Sequence, residues 1–354
     1  MKRILICVCV ILCLCLCGCN RAAEYSEPEQ VIITAALGFD NESGQLCVSA
    51  ETVKTNTDSS YEPQVITDKG YTVEQVIQSI SDNLGGKLFL GHCATIVLGN
   101  SLTQDQLENI IQFCKDSSEM SLAVKLIATH NAVQLLSCKS YSGEAVGYDI
   151  IKLMGTKGDV AAPDTYAQLF HIENLRSTHS GSFTLPHFSA ETSENGATLS
   201  PDGADVFSGS LRIYKLKKEQ DILLKILSNG YSGTTMTVNN NGSILQAKIE
   251  KSRCKIDKSF QNNTLFLDCT VKLTLEQGGF KGENASEFGK VIENKLGDFF
   301  TLMQTEIRQD ILHITDSIEK YQPMLFKRIE KDPLDAFLRA NIKVRCIVSG
   351  GDRQ

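Results

Sequence analysis

The sequence predicts an α+β protein of more than one domain, and three observations carry that expectation. In the first half, β-prone runs alternate with amphipathic helical stretches, the pattern of an α/β layer. In the last third, three long β-prone runs are followed by apolar residues at helical spacing, the pattern of an antiparallel sheet packed against a long helix. The chain has 354 residues, 42% of them hydrophobic and 22% charged, so it can bury two or three separate cores.

The first element is not part of any core. Lys2 and Arg3 precede an unbroken apolar run from Ile4 to Cys17, and the composition turns polar directly after Gly18, Cys19 and Asn20. The run is short for a bilayer span, which needs about 20 residues. A positive start, a short apolar centre and a small residue at its end are the layout of an export signal. Leu16-Cys17-Gly18-Cys19 is similar to the lipobox of bacterial lipoproteins, which places a small residue before a cysteine. That resemblance implies cleavage after Gly18 and a diacylglyceryl group on Cys19. Cys13, Cys15 and Cys17 lack the small residue at the cut, because Cys15 and Cys17 each follow a leucine. The competing reading is an uncleaved anchor whose cysteines are small hydrophobes. The expected divisions are a signal peptide at 1–18, a lipidated tether at 19–30, an N-terminal region at 31–198 with a possible break near 139, and a C-terminal domain at 204–354.

Val31 to Phe39 and Leu46 to Lys54 read as two strands joined by turn residues Asp40-Asn41-Glu42-Ser43-Gly44. Thr72 with Gln75 fits a capping box, Val73, Val76, Ile77 and Ile80 share a helical face, and Gly85-Gly86 ends that helix. Lys87 to Leu98 reads as one buried strand. Ser101 or Thr103 starts a helix carrying Leu107, Ile110, Ile111 and Cys114. Leu122 to Ala128 is a strand, and Asn131 caps a short helix over Val133, Leu135 and Leu136. Short helices are expected at 148–154 and 166–170. Phe183 to Ala190 contains Pro186 and reads as an edge strand. Thr192 to Gly203 is rich in Ser, Asn, Gly and Pro and reads as a linker. Two short strands then flank Ser208-Gly209-Ser210, and a helix covers 217–228.

Thr234 to Val238, Ser243 to Ile256 and Thr264 to Glu276 read as a β-meander. The apolar series Phe288, Val291, Ile292, Leu296, Phe299, Phe300, Met303, Ile307, Ile311, Ile314 and Ile318 predicts one helix of roughly eight turns. Asn284 with Glu287 can cap its start. Pro323 and Pro333 bracket short helical pieces, and Ala340 to Val348 closes the chain as a strand.

Charge and cysteine usage remove several function classes. The formal charge is −7, and losing Lys2 and Arg3 with the signal makes it −9. That balance argues against nucleic acid and against an electrostatic hold on anionic lipid. Beyond the signal and lipobox, seven cysteines remain: Cys47, Cys93, Cys114, Cys138, Cys254, Cys269 and Cys346. They are scattered and include no CxxC pair, so they read as buried free thiols rather than a disulfide framework or zinc site. His92-Cys93 cannot act as base and nucleophile in a strand, where neighbours point to opposite faces. His171, His179 and His187 recur at eight-residue intervals without completing a metal-ligand spacing. Gly278-Gly279-Phe280-Lys281-Gly282 lacks the frame of a phosphate loop and reads as a turn. No catalytic, metal or cofactor residues are assigned.

Several local strings resemble the Ger(x)C lipoproteins, the C subunits of nutrient germinant receptors of spore-forming bacteria. Gly38-Phe39-Asp40 is similar to their G-x-D string. Leu88-Phe89-Leu90-Gly91-His92 followed by Ala94-Thr95-Ile96-Val97-Leu98-Gly99 resembles their L-[YF]-x-x-H…V-I-V-[IL]-G strand. Val206-Phe207 with Leu211 to Leu216 resembles their VF-x-x-x-KLVG-L string. Asp310 matches the Asp of a D-x-x-G-x-G string whose glycines are absent here, and Phe326 and Phe337 occupy surroundings where the family has Trp. The resemblance implies a lipid-anchored, non-enzymatic receptor subunit on the outer face of the spore inner membrane. It further implies a multi-pass membrane subunit and a transporter-like subunit as partners. The alternative expectation is a surface lipoprotein that binds a small solute.

Overall fold

A computed structural model describes residues 31–55, 61–155, 167–193, 196–231, 233–240, 243–276 and 283–350. Ser43 and Gly44, both with positive φ, close a two-residue hairpin between Val31–Glu42 (β1) and Gln45–Thr55 (β2). Two left-handed residues are what that tight turn requires. Tyr61–Gly70 (β3) pairs along β2. Lys87–Phe89 (β4) and Thr95–Gly99 (β5) both run parallel to β1. Lys125–Thr129 (β6) follows, then Ser182–Ser193 (β7), Gly196–Ser208 (β8) and Leu211–Leu216 (β9). The sheet order is β3-β2-β1-β5-β6-β7-β8-β9, with β4 beside β1.

Every residue of β5 and β6 is buried, as expected of parallel strands covered on both faces. Their alternation assigns the faces. Phe39, Ile96, Leu98 and Leu126 pack with Val73–Leu84 (α1), Gln104–Asp116 (α2) and Leu169–Arg176 (α5). Ala36, Val97 and Ile127 face the other way, against Ala132–Leu136 (α3) and Val146–Gly155 (α4).

The second sheet is Thr234–Asn240 (β10), Ser243–Gln261 (β11), Thr264–Leu275 (β12) and Asn341–Ser349 (β13). The first three form the expected antiparallel meander, and β13 joins β12 in parallel. Asn262 and Asn263, both left-handed, make the β11–β12 turn. Glu283–Leu302 (α7) covers this sheet through Phe288, Ile292, Leu296, Phe299 and Phe300. Lys218–Leu227 (α6) lies at the junction, where Ala204, Val206 and Leu216 of the first sheet enter the same core as the second. The α+β class with an α/β first half and a helix-covered C-terminal sheet is therefore the architecture observed. Thr103 forms the full capping box of α2 with Gln106, and left-handed Gly85 ends α1.

Five expectations need correction. The run from Lys87 to Leu98 is two strands separated by a 3₁₀ turn at Leu90–His92, where the Ala94 N–H turns to the Ala35 carbonyl. β7 is an interior strand. Its Pro186 is accommodated because pairing with β6 begins only at His187 and a bulge toward β8 follows Pro186. The stretch read as a linker ends β7 and builds β8, so its described residues are hairpin, held by ladder pairs such as Ala190–Leu199. The apolar stripe from Phe288 to Ile318 is not one helix. After α7 the chain makes a π turn at Met303–Ile307, and left-handed Arg308 and His313 bracket a reversal before Ile314–Tyr321 (α8). Ile307, Ile311, Ile314 and Ile318 stay buried all the same. Helix α7 also begins at Glu283, one residue before its expected cap at Asn284. Pro323–Phe326 (α9) and Pro333–Leu338 (α10) each start on the expected proline.

Candidate functional site

The polar chemistry concentrates where the two sheets meet. The segment after α5 lies against α8. There the Ser180 hydroxyl donates to Asp316 Oδ2 at 2.8 Å and lies 3.0 Å from His313 Nδ1. His313 Nδ1 is 3.1 Å from the same Asp316 oxygen. Burial pushes the Asp316 carboxyl up, but hydrogen bonds from His313, Ser180 and Thr178 outweigh it and hold the group at about 2. The residue types are those of a hydrolytic triad, but the geometry is not. In a relay, serine and carboxylate contact opposite ring nitrogens. Here both contact Nδ1, and the serine gives its proton directly to the carboxylate. The group is a clamp between sheets. Ser182 Oγ adds a bond to the Asp310 carbonyl (3.2 Å), and Gln309 Nε2 donates to Ser208 Oγ (3.2 Å). His179 pairs with Glu319 at 3.2 Å and packs its ring against Phe326.

Beside the clamp is a cavity of about 240 Å³ lined by Thr184, Pro186 and Ala204 from the first sheet and Leu224, Ile311 and His313 from the other side. Its wall also carries Asp221 and Lys225, an i,i+4 pair on α6 at 2.5 Å, both buried. Burial raises the Asp221 carboxyl, and Lys225 pulls it back. A second buried set spans three strands: Asp205 on β8 meets His187 of β7 at 3.1 Å and is ion-paired to Arg212 of β9. No hydroxyl or thiol among the described residues hydrogen-bonds the His187 ring.

Three further buried carboxylates satisfy helix starts. Asp40 accepts from the Ala132 N–H (2.9 Å) and Val133 N–H (3.2 Å) at α3. Glu51 accepts from the Val146 and Gly147 N–H groups (2.6 and 2.8 Å) at α4. Asp310 accepts from the Ile314 N–H (3.0 Å) and from Thr315 N–H and Oγ1 (2.7 and 2.8 Å) at α8. These acids explain two of the family-like strings. In Gly38-Phe39-Asp40, a Cβ on residue 38 would sit 3.0 Å from both Ala132 Cβ and Leu136 Cδ1. Glycine therefore lets α3 close on β1 while Asp40 caps it. Asp310 keeps the same capping role without glycines after it.

The residues singled out in the sequence are dispersed. His92 is exposed in the 3₁₀ turn while Cys93 is buried, its thiol pushed up to about 12 by burial. His171, His179 and His187 occupy three different environments. Among the described residues no three His, Cys, Asp or Glu side chains are grouped to hold a metal ion. Cys19 and the glycine run 278–282 lie outside the described residues. The Ser180–His313–Asp316 clamp was not foreseen, because Ser180 and His313 are 133 positions apart. Only the His313/Asp316 spacing is local.

Two packed sheets with short helices capped by buried acids, and a polar clamp between them, define a two-sheet α+β protein. The chain belongs to the spore germination protein family: residues 24–190 match the model described as "Spore germination protein N-terminal domain", and residues 202–349 match "Spore germination B3/ GerAC like, C-terminal". Among solved structures it is similar to the one titled "Crystal Structure of the GerBC protein". The TM-score is 0.58 at 15% identity, covering 90% of this chain and 97% of that one, so the likeness speaks for the fold. No curated protein matches the chain.

Proposed function

We propose that this chain is a lipid-anchored, non-enzymatic subunit of a nutrient germinant receptor, held by diacylglyceryl-Cys19 on the outer face of the spore inner membrane. The observation that carries the reading is the lipobox Leu16-Cys17-Gly18-Cys19 placed immediately before a family match that begins at residue 24. Residues 1–18 are the signal and 19–30 the tether. The partners are a multi-pass membrane subunit and a transporter-like subunit, and the role is to hold the two sheets against them. The two acyl chains of a diacylglyceryl group are enough for stable attachment, and a protein interface sets how the two sheets sit on the receptor. Among the described residues no helix is long and apolar enough to cross a membrane. The test is Cys19→Ala, followed by fractionation and lipid labelling in the sporulating host. The expected result is loss of label, release from the membrane fraction and a germination defect. A variant that still carries the diacyl label overturns the anchor assignment.

A second reading, a surface lipoprotein that binds a small solute, is favoured by the cavity at the sheet junction. Thermal shift of the full mature chain against amino acids and sugars separates the two. Strong stabilisation by one compound, abolished by Ala204→Phe, supports solute binding.

A further inference from the structure

The seven thiols are free, but two of them are not isolated. Cys254 on β11 and Cys269 on β12 point into the same core, and their sulfurs are 3.6 Å apart. They are diagonal neighbours, since Cys254 stands opposite Val271 and Cys269 opposite Ile256. A disulfide needs its sulfurs at about 2 Å, so these two have to approach by roughly 1.6 Å for a bond to form. Cys254 is half-buried and Cys269 is fully buried, so an oxidant in solution meets Cys254 first. The third thiol on this face, Cys346 of β13, stands opposite Val271.

We propose that Cys254 and Cys269 are a dedicated oxidation site, converted by a low-molecular-weight disulfide into a covalent link between β11 and β12. In the first step the Cys254 thiolate attacks one sulfur of the disulfide R–S–S–R, forming Cys254–S–S–R and releasing RS⁻. In the second, the Cys269 thiolate attacks Cys254 Sγ, the Cys254–S–R bond breaks, and a second RS⁻ leaves. The two protons lost by the cysteines end on the two released thiols. Two cysteines are oxidised and one external disulfide is reduced. The local electrostatics favour that order. The hydrogen bond from Cys269 lowers the Cys254 thiol, whereas Cys269 is pushed up by that same hydrogen bond, then by burial and by the Cys254 charge. Once Cys254 is capped by R, the hydrogen bond and the Cys254 charge that raise Cys269 are gone, burial and Cys346 still hold it up, and Cys269 is the thiol within reach to attack. Cys346 is the bystander: burial and the neighbouring Glu293 carboxylate push its thiol to about 12.

The link would close the segment from 254 to 269 in the unfolded chain as well, removing entropy there and raising the stability of the second sheet. An exported protein meets oxidants that a cytosolic one does not, but the proposal stands on the sulfur pair and not on the lipid anchor.

The test is to incubate the folded full mature chain with oxidised glutathione, then map disulfides under non-reducing conditions. The expected result is a Cys254–Cys269 cross-link, an intact mass lower by two hydrogens, no retained glutathione, and a melting temperature raised in a manner reversed by dithiothreitol. Cys269→Ser should trap glutathione on Cys254, and Cys346→Ser should leave the cross-link unchanged. A stable glutathione adduct on Cys254 of the unmutated chain overturns the proposal. So does a link to Cys346, or a cross-link that forms only after unfolding. The unmutated chain supplies the decisive readout, so a variant that folds poorly does not obscure it.

Discussion

The two sheets stabilise their helices by opposite means. In the first, α3 and α4 are short and begin at N–H groups that are satisfied from far away: Asp40 reaches Ala132 across 92 positions and Glu51 reaches Val146 across 95. In the second, Asp310 caps α8 from four and five positions away, and α7 covers its sheet with a continuous face of Phe288, Ile292, Leu296, Phe299 and Phe300. Isolated helices shorter than about 12–15 residues are marginal in water, so α3 and α4 depend on the strands already being in place. The second sheet can assemble most of its cover from local order. The two short helices α3 and α4 of the first sheet therefore stand on distant polar contacts, whereas the cover of the second sheet stands on a wide apolar stripe.

If so, the largest single effect belongs to the apolar stripe. Phe299→Ala removes a fully buried ring from the face of α7, where truncating a core phenylalanine costs about 3–5 kcal/mol. Urea unfolding followed by hydrogen exchange should show the loss first in β11, β12 and β13, with β5 and β6 protected. Equal loss of protection in both sheets would mean that the shared junction core makes the molecule one cooperative unit.

Next in size is the distant cap. Asp40→Ala strands two backbone N–H groups in a dry site, a loss of about 2–4 kcal/mol. Protection should vanish at 132–136, more than ninety residues from the substitution. Asp310→Ala should cost a similar amount with its effect confined to 314–318. A loss around 132–136 no greater than elsewhere would break the contrast between distant and local caps.

Glu51 turns the same contrast into a pH dependence. Burial raises its carboxyl from 4.5 to about 7, against the pull of the Gly147 and Val146 N–H groups. The folded state then holds the proton more tightly than the unfolded state, so this residue's contribution falls as pH rises from about 4.5 to 7 and is level above that. Glu51→Gln does not titrate. Between pH 5 and pH 8 the unmutated chain should lose about 2 kcal/mol more than the variant, counting roughly 1.4 kcal/mol per pH unit across most of that window. Parallel stability profiles for the two proteins would show that Glu51 is charged at neutral pH.

What the sequence disclosed follows the same division. Elements held by local rules were legible: a start of α2 at Ser101 or Thr103, the Gly85 stop, the hairpin turn within Asp40 to Gly44 and the β10–β12 meander. The capping box, however, belongs to Thr103 with Gln106, while at Thr72 only the threonine half forms and the Gln75 side chain accepts from the Tyr71 N–H. Elements decided by distant contacts were not. Pro186 lies in an interior strand because of where β6 pairing starts, which no window of residues around it reports. The stripe from Phe288 to Ile318 keeps helical spacing through a break made by two left-handed non-glycine residues, so periodicity alone could not find the reversal. The Ser180–His313–Asp316 clamp was invisible for the same reason, while Asp221 and Lys225, four apart on one helix, could have been paired from spacing.

The smallest expected effect is the most discriminating, because it concerns the same helix as Asp40. Asn131 caps α3 locally, its Oδ1 accepting from the Gln134 N–H at 2.7 Å in a solvent-facing site. Asn131→Ala removes that bond, but water can replace it, so the cost should be about 1 kcal/mol or less. Asp40→Ala removes contacts of the same kind from the same turn in a site that is 2% exposed, where water cannot substitute. The difference between the two variants, measured by chemical denaturation, isolates burial from capping geometry. If they destabilise equally, the reach of Asp40 across the sheet is an ordinary N-cap. If Asp40→Ala costs at least twice as much, α3 is held in place by β1, and the glycine at 38 that admits the helix and the aspartate at 40 that caps it form one device.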